Sequence, residues 1–563
     1  MTTYDIVIKG GMLFDGTRNP RVRADVAIRD GVVAAIGRVP ASDGVQVLDA
    51  SGLHVAPGFV DLHTHYDAQV FWDPLCTSSS WHGVTTVITG NCGFTLAPCR
   101  PEDREYLTHM LAVVEDMPLP ALKEGIPWDW EDFPGYLATV GRRPKAINLG
   151  CYVGHSAVRR YVMGADCRRA ATEEETARIQ AVVAAALRAG AMGVSSSRVP
   201  VHVDGEGKSV PSFYAELPEL LALSRALREA GRGVMEVTAK MVLMPQSEQE
   251  TGDLADLVAL AKESGRPVTW ASVRYTPKFP GRSLFILSEV AKAVAREGVR
   301  LYPQIGCRSF EFYLNWQKLM PVFAHLPTWR QAMFLSAKER VAALAGPATR
   351  AKMRTELAGA TFFNGWQYVM VKEAKRPEHK PLEGQSIAAI ATAQGKDPLD
   401  AYLDLCVAEE CTTDFTYLAM DMEEEPMGRM LRDPNTLLET DAGAHLASLC
   451  NADFPTYVLA HWVRETGVLS LEEAVARLTA RPADAFGLAD RGRLVPGSAA
   501  DVVIFDPERV GGGQLQTVHD LPAHQPRLIQ QARGVQMVIV NGEVVLEEGK
   551  HTGAVPGRVV RGV

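Results

Sequence analysis

From about residue 58 onward the sequence alternates short apolar runs with longer helix-period segments, and this rhythm restricts the fold more than any other feature. The runs at 57–62, 84–89, 147–152, 191–196, 233–238, 267–272, 299–304 and 437–441 read as strands. Strands separated by helices pair in parallel, because each helix serves as the crossover. Eight such units predict an α/β fold, a TIM-like (β/α)8 barrel. Two of the helices are marked in detail. Thr172 with Glu175 reads as a capping box and Gly190 as the stop, and Ser470 with Glu473 repeats the capping device.

The two ends of the chain have a different texture. Residues 4–9, 25–29 and 32–37 are short β-type runs broken by Gly10-Gly11, Asp15-Gly16 and Asp30-Gly31. Residues 501–505 and 536–540 repeat the pattern, with Asn541-Gly542 as a tight turn. The economical reading is a small β-sandwich lobe built from both termini, residues 1–57 and 486–563, around a barrel over 58–485. Residues 305–380 break the βα rhythm and are rich in Phe, Trp and Met, which predicts an insertion over the barrel mouth.

With 563 residues, 47% of them hydrophobic, the chain can bury such a core. A net charge of −9 without a basic patch argues against nucleic acid and fits a small-molecule substrate. The N-terminal residues lack a basic region followed by an apolar one, so no signal peptide is expected. No apolar run approaches the ~20 residues of a membrane span. Nine scattered cysteines, an odd number, point to a reducing cytoplasm rather than a disulfide framework.

Three motifs carry chemistry. Pro57-Gly-Phe-Val-Asp-Leu-His63-Thr-His65 ends an apolar strand with two histidines two residues apart. Alternate side chains of a strand share a face, so His63 and His65 point together, an arrangement suited to zinc. Two locally bonded turn histidines are the plainer alternative. Thr89-Gly-Asn-Cys92-Gly93 places Cys92 after the next strand, either as a thiolate ligand or as a small buried residue in a glycine turn. Glu439-Thr-Asp441-Ala-Gly-Ala-His445 follows a late strand. Asp441 there suits metal binding and proton transfer, or a simple cap. His155 and His202 follow candidate barrel strands, which suggests substrate binding or oxyanion stabilisation.

Together these motifs resemble the amidohydrolase superfamily and, more narrowly, the N-acyl-D-amino-acid deacylase (D-aminoacylase) family. The resemblance runs over essentially the whole chain. Gly90-Asn-Cys-Gly-Phe-Thr-Leu-Ala-Pro98, Gly154-His-Ser-Ala-Val-Arg159, Gly193-Val-Ser-Ser-Ser-Arg198 and Asp490-Arg-Gly-Arg-Leu-Val-Pro-Gly-Ser-Ala-Ala-Asp501 all take part. It implies that His63 and His65 are metal ligands, Cys92 a cysteine ligand and Asp441 the catalytic aspartate. The implied reaction is hydrolysis of an amide C–N bond, most simply of an N-acyl amino acid or related N-acyl amide, by metal-activated water. A homo-oligomer is a further expectation.

The resemblance also has gaps. The family places a histidine after each of two middle strands, but here these read Gly233–Lys240 and Pro267–Arg274, and no histidine occurs between His202 and His325. One Zn2+ is therefore favoured over two, held by His63, His65 and Asp441, with Cys92 or Glu236 beside it. Arg274 is left as the candidate clamp for a substrate carboxylate. Two other readings stay open on this scaffold: hydrolysis of a cyclic amide or other C–N or ester bond, and a degenerate barrel that only binds a ligand.

Overall fold

The computed structural model describes residues 3–240, 248–360 and 363–562. Eight parallel strands follow the expected order: β1 (Phe59–Thr64), β2 (Val84–Thr89), β3 (Asn148–Cys151), β4 (Gly193–Ser197), β5 (Val234–Thr238), β6 (Val268–Ala271), β7 (Leu301–Ile305) and β8 (Leu437–Leu438). β1 pairs with β2 and β2 with β3. After Tyr152 the third strand resumes as Val153–Gly154, which pairs with β4. From there each strand pairs with the next through to β8. Beyond β8, Thr64 bridges Ala442 in parallel, and the His65 N–H donates to the Ala442 carbonyl at 2.7 Å. This is a TIM-barrel-like α/β fold. β1, β2, β4 and β5 are buried at every residue, as strands covered on both faces must be.

The helix signals hold. Glu173–Ala189 starts with the full Thr172/Glu175 capping box and stops at Gly190. Leu471–Leu478 is capped from one side only: Ser470 Oγ accepts from the Glu473 N–H at 3.2 Å, while the Glu473 carboxylate pairs with Arg477 at 2.9 Å.

The chain ends meet in one seven-stranded sheet, where Val502–Phe505 lies antiparallel to His54–Pro57. A second, four-stranded sheet comes from residues 4–49 alone. Ile6, Val26 and Ile28 of the smaller sheet and Val55, Ile504 and Ile539 of the larger belong to one buried cluster.

The segment between β7 and β8 is larger than its composition suggested. Phe310–Leu314, Asp414–Met420 and Val369–Glu373 form an antiparallel sheet, and helices between them build a separate core around Trp316, Trp329 and Tyr402. It therefore extends to Met420 rather than ending near residue 380. The aromatic signal fades after that point, although the polypeptide has not yet returned to the barrel.

Candidate metal centre

All three motifs converge at the C-terminal ends of the barrel strands, where active sites of such barrels lie. His63 Nε2 is 3.5 Å from Cys92 Sγ and 3.3 Å from Asp441 Oδ1. His65 Nε2 is 3.2 Å from the same oxygen. Donor atoms of His63, His65 and Cys92 all lie within 4.8 Å of one another. Zinc bonds of ~2.0–2.1 Å to nitrogen and ~2.3 Å to sulfur set tetrahedral edges of roughly 3.3–3.6 Å. The chemistry and the spacing of this donor set fit such an ion.

The backbone is bent to bring these groups in. Cys92 (φ 56°), Asp441 (φ 65°) and His445 (φ 50°) all sit in the left-handed region, which non-glycine residues adopt at an energetic cost and mostly at functional sites. Glycine is required beside them. A Cβ on Gly443 (φ 90°) would lie 2.8 Å from the His65 carbonyl carbon, so this turn presses directly on the histidine strand.

A chain of hydrogen bonds selects the tautomer of His63. Thr269 Oγ1 donates to the Tyr302 carbonyl at 2.7 Å, so it accepts from Gln304 Nε2 at 3.0 Å. That orients Gln304 Oε1 as the acceptor for His63 Nδ1 at 2.5 Å. Nδ1 carries a proton, so a metal bound here would take the lone pair of Nε2. His65 Nδ1 lies 3.3 Å from Glu115 Oε1. Asp61 braces both sides of the cluster, accepting from Thr440 Oγ1 at 2.7 Å and from the His63 N–H at 3.3 Å.

The charges of the cluster are tightly coupled. Burial opposes charge on Asp441, but hydrogen bonds from His63 and His65 hold its carboxyl well below the usual range. Burial likewise opposes charge on His63, yet Cys92, Asp441 and Glu439 together push its pKa well up. Burial pushes the Cys92 thiol up, a bias that a bound metal reverses by deprotonating it. Burial raises Glu115 too, with Asp441 adding to the effect.

A cavity of about 1040 Å³, including its open mouth, lies over the cluster. Val113 comes from the Arg104–Val114 helix and Val199 and Val201 from the loop after β4, while Phe310, Phe312 and Val322 come from the inserted segment.

The remaining sequence candidates divide. His202 lines the cavity, with Nδ1 2.8 Å from Ser197 Oγ and the ring edge-on to Phe94; burial lowers its pKa to about 3, so the ring is neutral. Arg274 also lines the cavity but is bonded to Asp421 at 2.7 Å, to Glu439 and to Ser272 Oγ at 2.9 Å. Glu236 faces inward, yet its Oε2 accepts from the Cys92 N–H at 2.9 Å rather than joining the ligand group; burial pushes its pKa up to about 8. His155 does not reach the cavity. Its Nδ1 is 2.9 Å from Ser196 Oγ and its Nε2 2.8 Å from Glu219, which also holds the buried Arg159. His155 starts a helix instead of continuing the strand before it, and so turns away. Trp130 stacks on Phe71 and donates to the Leu96 carbonyl at 2.8 Å.

Glu115, Gln304, Glu439 and His445 are additional site residues. Only Glu439 and His445 had a local signal, since they flank Asp441 and residue 439 shares its strand face.

The model of the amidohydrolase family matches residues 46–546. The chain belongs to the amidohydrolase family. D-aminoacylase from Alcaligenes xylosoxydans xylosoxydans is 31% identical over 99% of this chain and 97% of its own length. N-acyl-D-glutamate deacylase from Bordetella bronchiseptica, solved with zinc and a phosphonate mimic of the tetrahedral intermediate, is 27% identical. It covers 99% of this chain and 100% of its own, with a TM-score of 0.68. A D-aminoacylase structure that addresses a binuclear metal centre, with one-metal activation and second-metal attenuation, is 29% identical at a TM-score of 0.67, again over 99% and 100%. This amidohydrolase is accordingly a metal-dependent hydrolase of C–N bonds. Among its described residues no helix is long and apolar enough to cross a membrane.

Proposed function

We propose that this amidohydrolase cleaves the amide C–N bond of an N-acyl amino acid or related N-acyl amide, with one zinc ion at His63, His65, Cys92 and Asp441. The observation that carries this reading is the convergence of His63 Nε2, His65 Nε2, Cys92 Sγ and Asp441 Oδ1 beneath the cavity. When bound, the ion would supply Lewis acidity toward the amide carbonyl and lower the pKa of a water molecule.

The chain's own groups supply the rest. Asp441, held ionised, accepts a proton from the attacking water and returns it to the leaving nitrogen. Neutral His202 and the unpartnered hydroxyl of Thr238 line the cavity as uncharged groups able to hydrogen-bond the substrate. The apolar side chains of Phe310, Phe312 and Val322 along the cavity wall limit water around the reacting amide.

One ion is favoured because Glu236, on the strand facing Cys92, is engaged by a backbone N–H, and the histidines that a second site would need are missing. The Thr64–Ala442 bridge supports a closed (β/α)8 barrel over 58–485, and the cluster shared by the two terminal sheets supports a β-sandwich lobe from 1–57 and 486–563. Cysteines that are all free thiols, eight of the nine buried, support a reducing, cytoplasmic setting.

Elemental analysis of protein purified without chelator should find about one zinc per chain, lost in His63→Ala/His65→Ala. Asp441→Asn should lower kcat by about 10²- to 10⁴-fold. Two ions per chain would overturn the one-metal reading. No metal after reconstitution, or an undiminished kcat in D441N, would overturn the mechanism.

A further inference from the structure

We infer that the amide this cavity accepts carries no free carboxylate beside the scissile nitrogen: its substrates are N-acyl amides of uncharged, apolar amines, including amino acids whose carboxyl group is itself blocked. This rests on the amide-hydrolysis reading above and narrows it.

A substrate carboxylate needs a cation with donors to spare. Among the described residues lining the cavity, Arg274 is the only lysine or arginine. The undescribed residues 241–247 read Met-Val-Leu-Met-Pro-Gln-Ser and add none. Each nitrogen of the Arg274 guanidinium already makes a bond. Nη1 bonds Asp421 Oδ2 at 2.7 Å, Nη2 bonds Glu439 Oε1, and Nε donates to Ser272 Oγ at 2.9 Å. The Phe310 ring covers the guanidinium face, with its centroid 4.7 Å from the central carbon. The chain at Gly306 comes so close that a Cβ there would fall 1.9 Å from Nη1. One guanidinium shared by two buried carboxylates leaves a group that is negative in sum. Glu439 Oε2 has no hydrogen-bond partner, its nearest cationic neighbour being His63 Nδ1 at 3.6 Å, and Asp441 stands beside it on the same strand end.

A carboxylate entering this space would therefore meet Glu439 with no side-chain cation to spare, Asp441 and the histidines being committed to the proposed ion, and would lose its hydration as well. An uncharged group meets no such opposition. Val113, Val199, Val201, Phe312 and Val322 offer apolar wall, and Thr238 Oγ1 and His202 offer neutral polar contacts.

The test compares N-acetylphenylalanine with N-acetylphenylalaninamide, each as both enantiomers, on the zinc-loaded enzyme. Release of the free α-amine is read by mass spectrometry, and equilibrium binding by calorimetry. The expected result is that kcat/KM and affinity for the amide exceed those for the acid by about tenfold or more. Equal or better turnover or binding of the acid would overturn the inference. If neither compound releases its amine while the amide still binds tighter, the hydrolase reading fails and the inference about the cavity stands. Asp421→Asn, which frees one edge of Arg274, should move the acid-to-amide ratio several-fold toward the acid; an unmoved ratio would overturn the part assigned to Arg274.

Discussion

Replacing Gln304 by leucine should weaken zinc binding without unfolding the protein. Gln304 Oε1 is the acceptor that keeps the proton of His63 on Nδ1, at 2.5 Å, in a ring that is 1% exposed. Leucine nearly conserves volume but accepts no hydrogen bond. In the metal-free variant His63 can move its proton to Nε2 and donate it toward Asp441 Oδ1, 3.3 Å away, so little is lost. Zinc binding forbids that escape, because Nε2 must be bare and the proton must return to an Nδ1 without an acceptor. The penalty, about 1–3 kcal/mol for a buried unsatisfied donor, therefore falls almost entirely on the metal-bound state. At about 1.4 kcal/mol per decade this is a loss of about 5- to 150-fold in affinity, the range typical of residues that orient metal-bound histidines. Competition with a chromophoric chelator measures it, and the melting temperature of the metal-free protein serves as the folding control. Thr269→Val removes the acceptor one bond further out and should have a smaller effect in the same direction. A zinc affinity within twofold of wild type in Gln304→Leu would refute the tautomer argument.

Glu219→Ala should destabilise the fold by about 3–5 kcal/mol, because the fully buried Arg159 would lose its carboxylate partner. A lowered melting temperature checks this, and His155→Gln, which alters the same network away from the cavity, should leave KM unchanged within about twofold if His155 is structural. The contribution of His202 and His445 to the stability of the metal-free protein should fall as the pH drops below about 6.5. Burial lowers His202 to about 3 and His445 to about 4 from an ordinary 6.5, so the unfolded chain takes up protons first. Their stabilisation is complete above pH 6.5 and is lost as the pH falls toward 4 and 3. Melting temperatures between pH 7 and pH 4 should fall less steeply in His202→Gln/His445→Gln, and parallel curves would count against this origin.

What the sequence made legible was local. His63 and His65 could be paired because two residues on one strand face need no knowledge of the rest of the chain. Cys92 and Asp441 were legible because each follows an apolar run within a few residues. Gln304 and Glu115 were not, since their roles exist only after β7 and the loop near residue 115 have closed on β1, and neither sits in a motif. His155 failed for the opposite reason. It occupies a motif at the end of a strand, but the backbone enters a helix at that residue, and the ring turns from the barrel axis toward Glu219. The inserted segment was recognised by its aromatic residues, yet its far boundary was missed because Asp414–Met420, the central strand of the inserted sheet, alternates buried and half-exposed residues like any strand with one face covered.

The absence of histidine from β5 and β6 invites the reading of a decayed enzyme, and Glu236 argues against it. A site under no constraint would fill that position with an apolar side chain, because burying a carboxyl group without a partner is unfavourable. Instead the Glu236 carboxyl accepts the N–H of Cys92, at a residue whose backbone is held in the left-handed region (φ 56°). The bond fixes the turn that sets Cys92 Sγ 3.5 Å from His63 Nε2. Glu236 thus positions a proposed metal ligand. Gln304 does the same for His63 and Asp61 for the Thr440 turn before Asp441. Three of the proposed ligands are therefore supported by buried polar groups at hydrogen-bond distance, an arrangement expected of a retained metal site and without purpose in a barrel that only encloses a ligand.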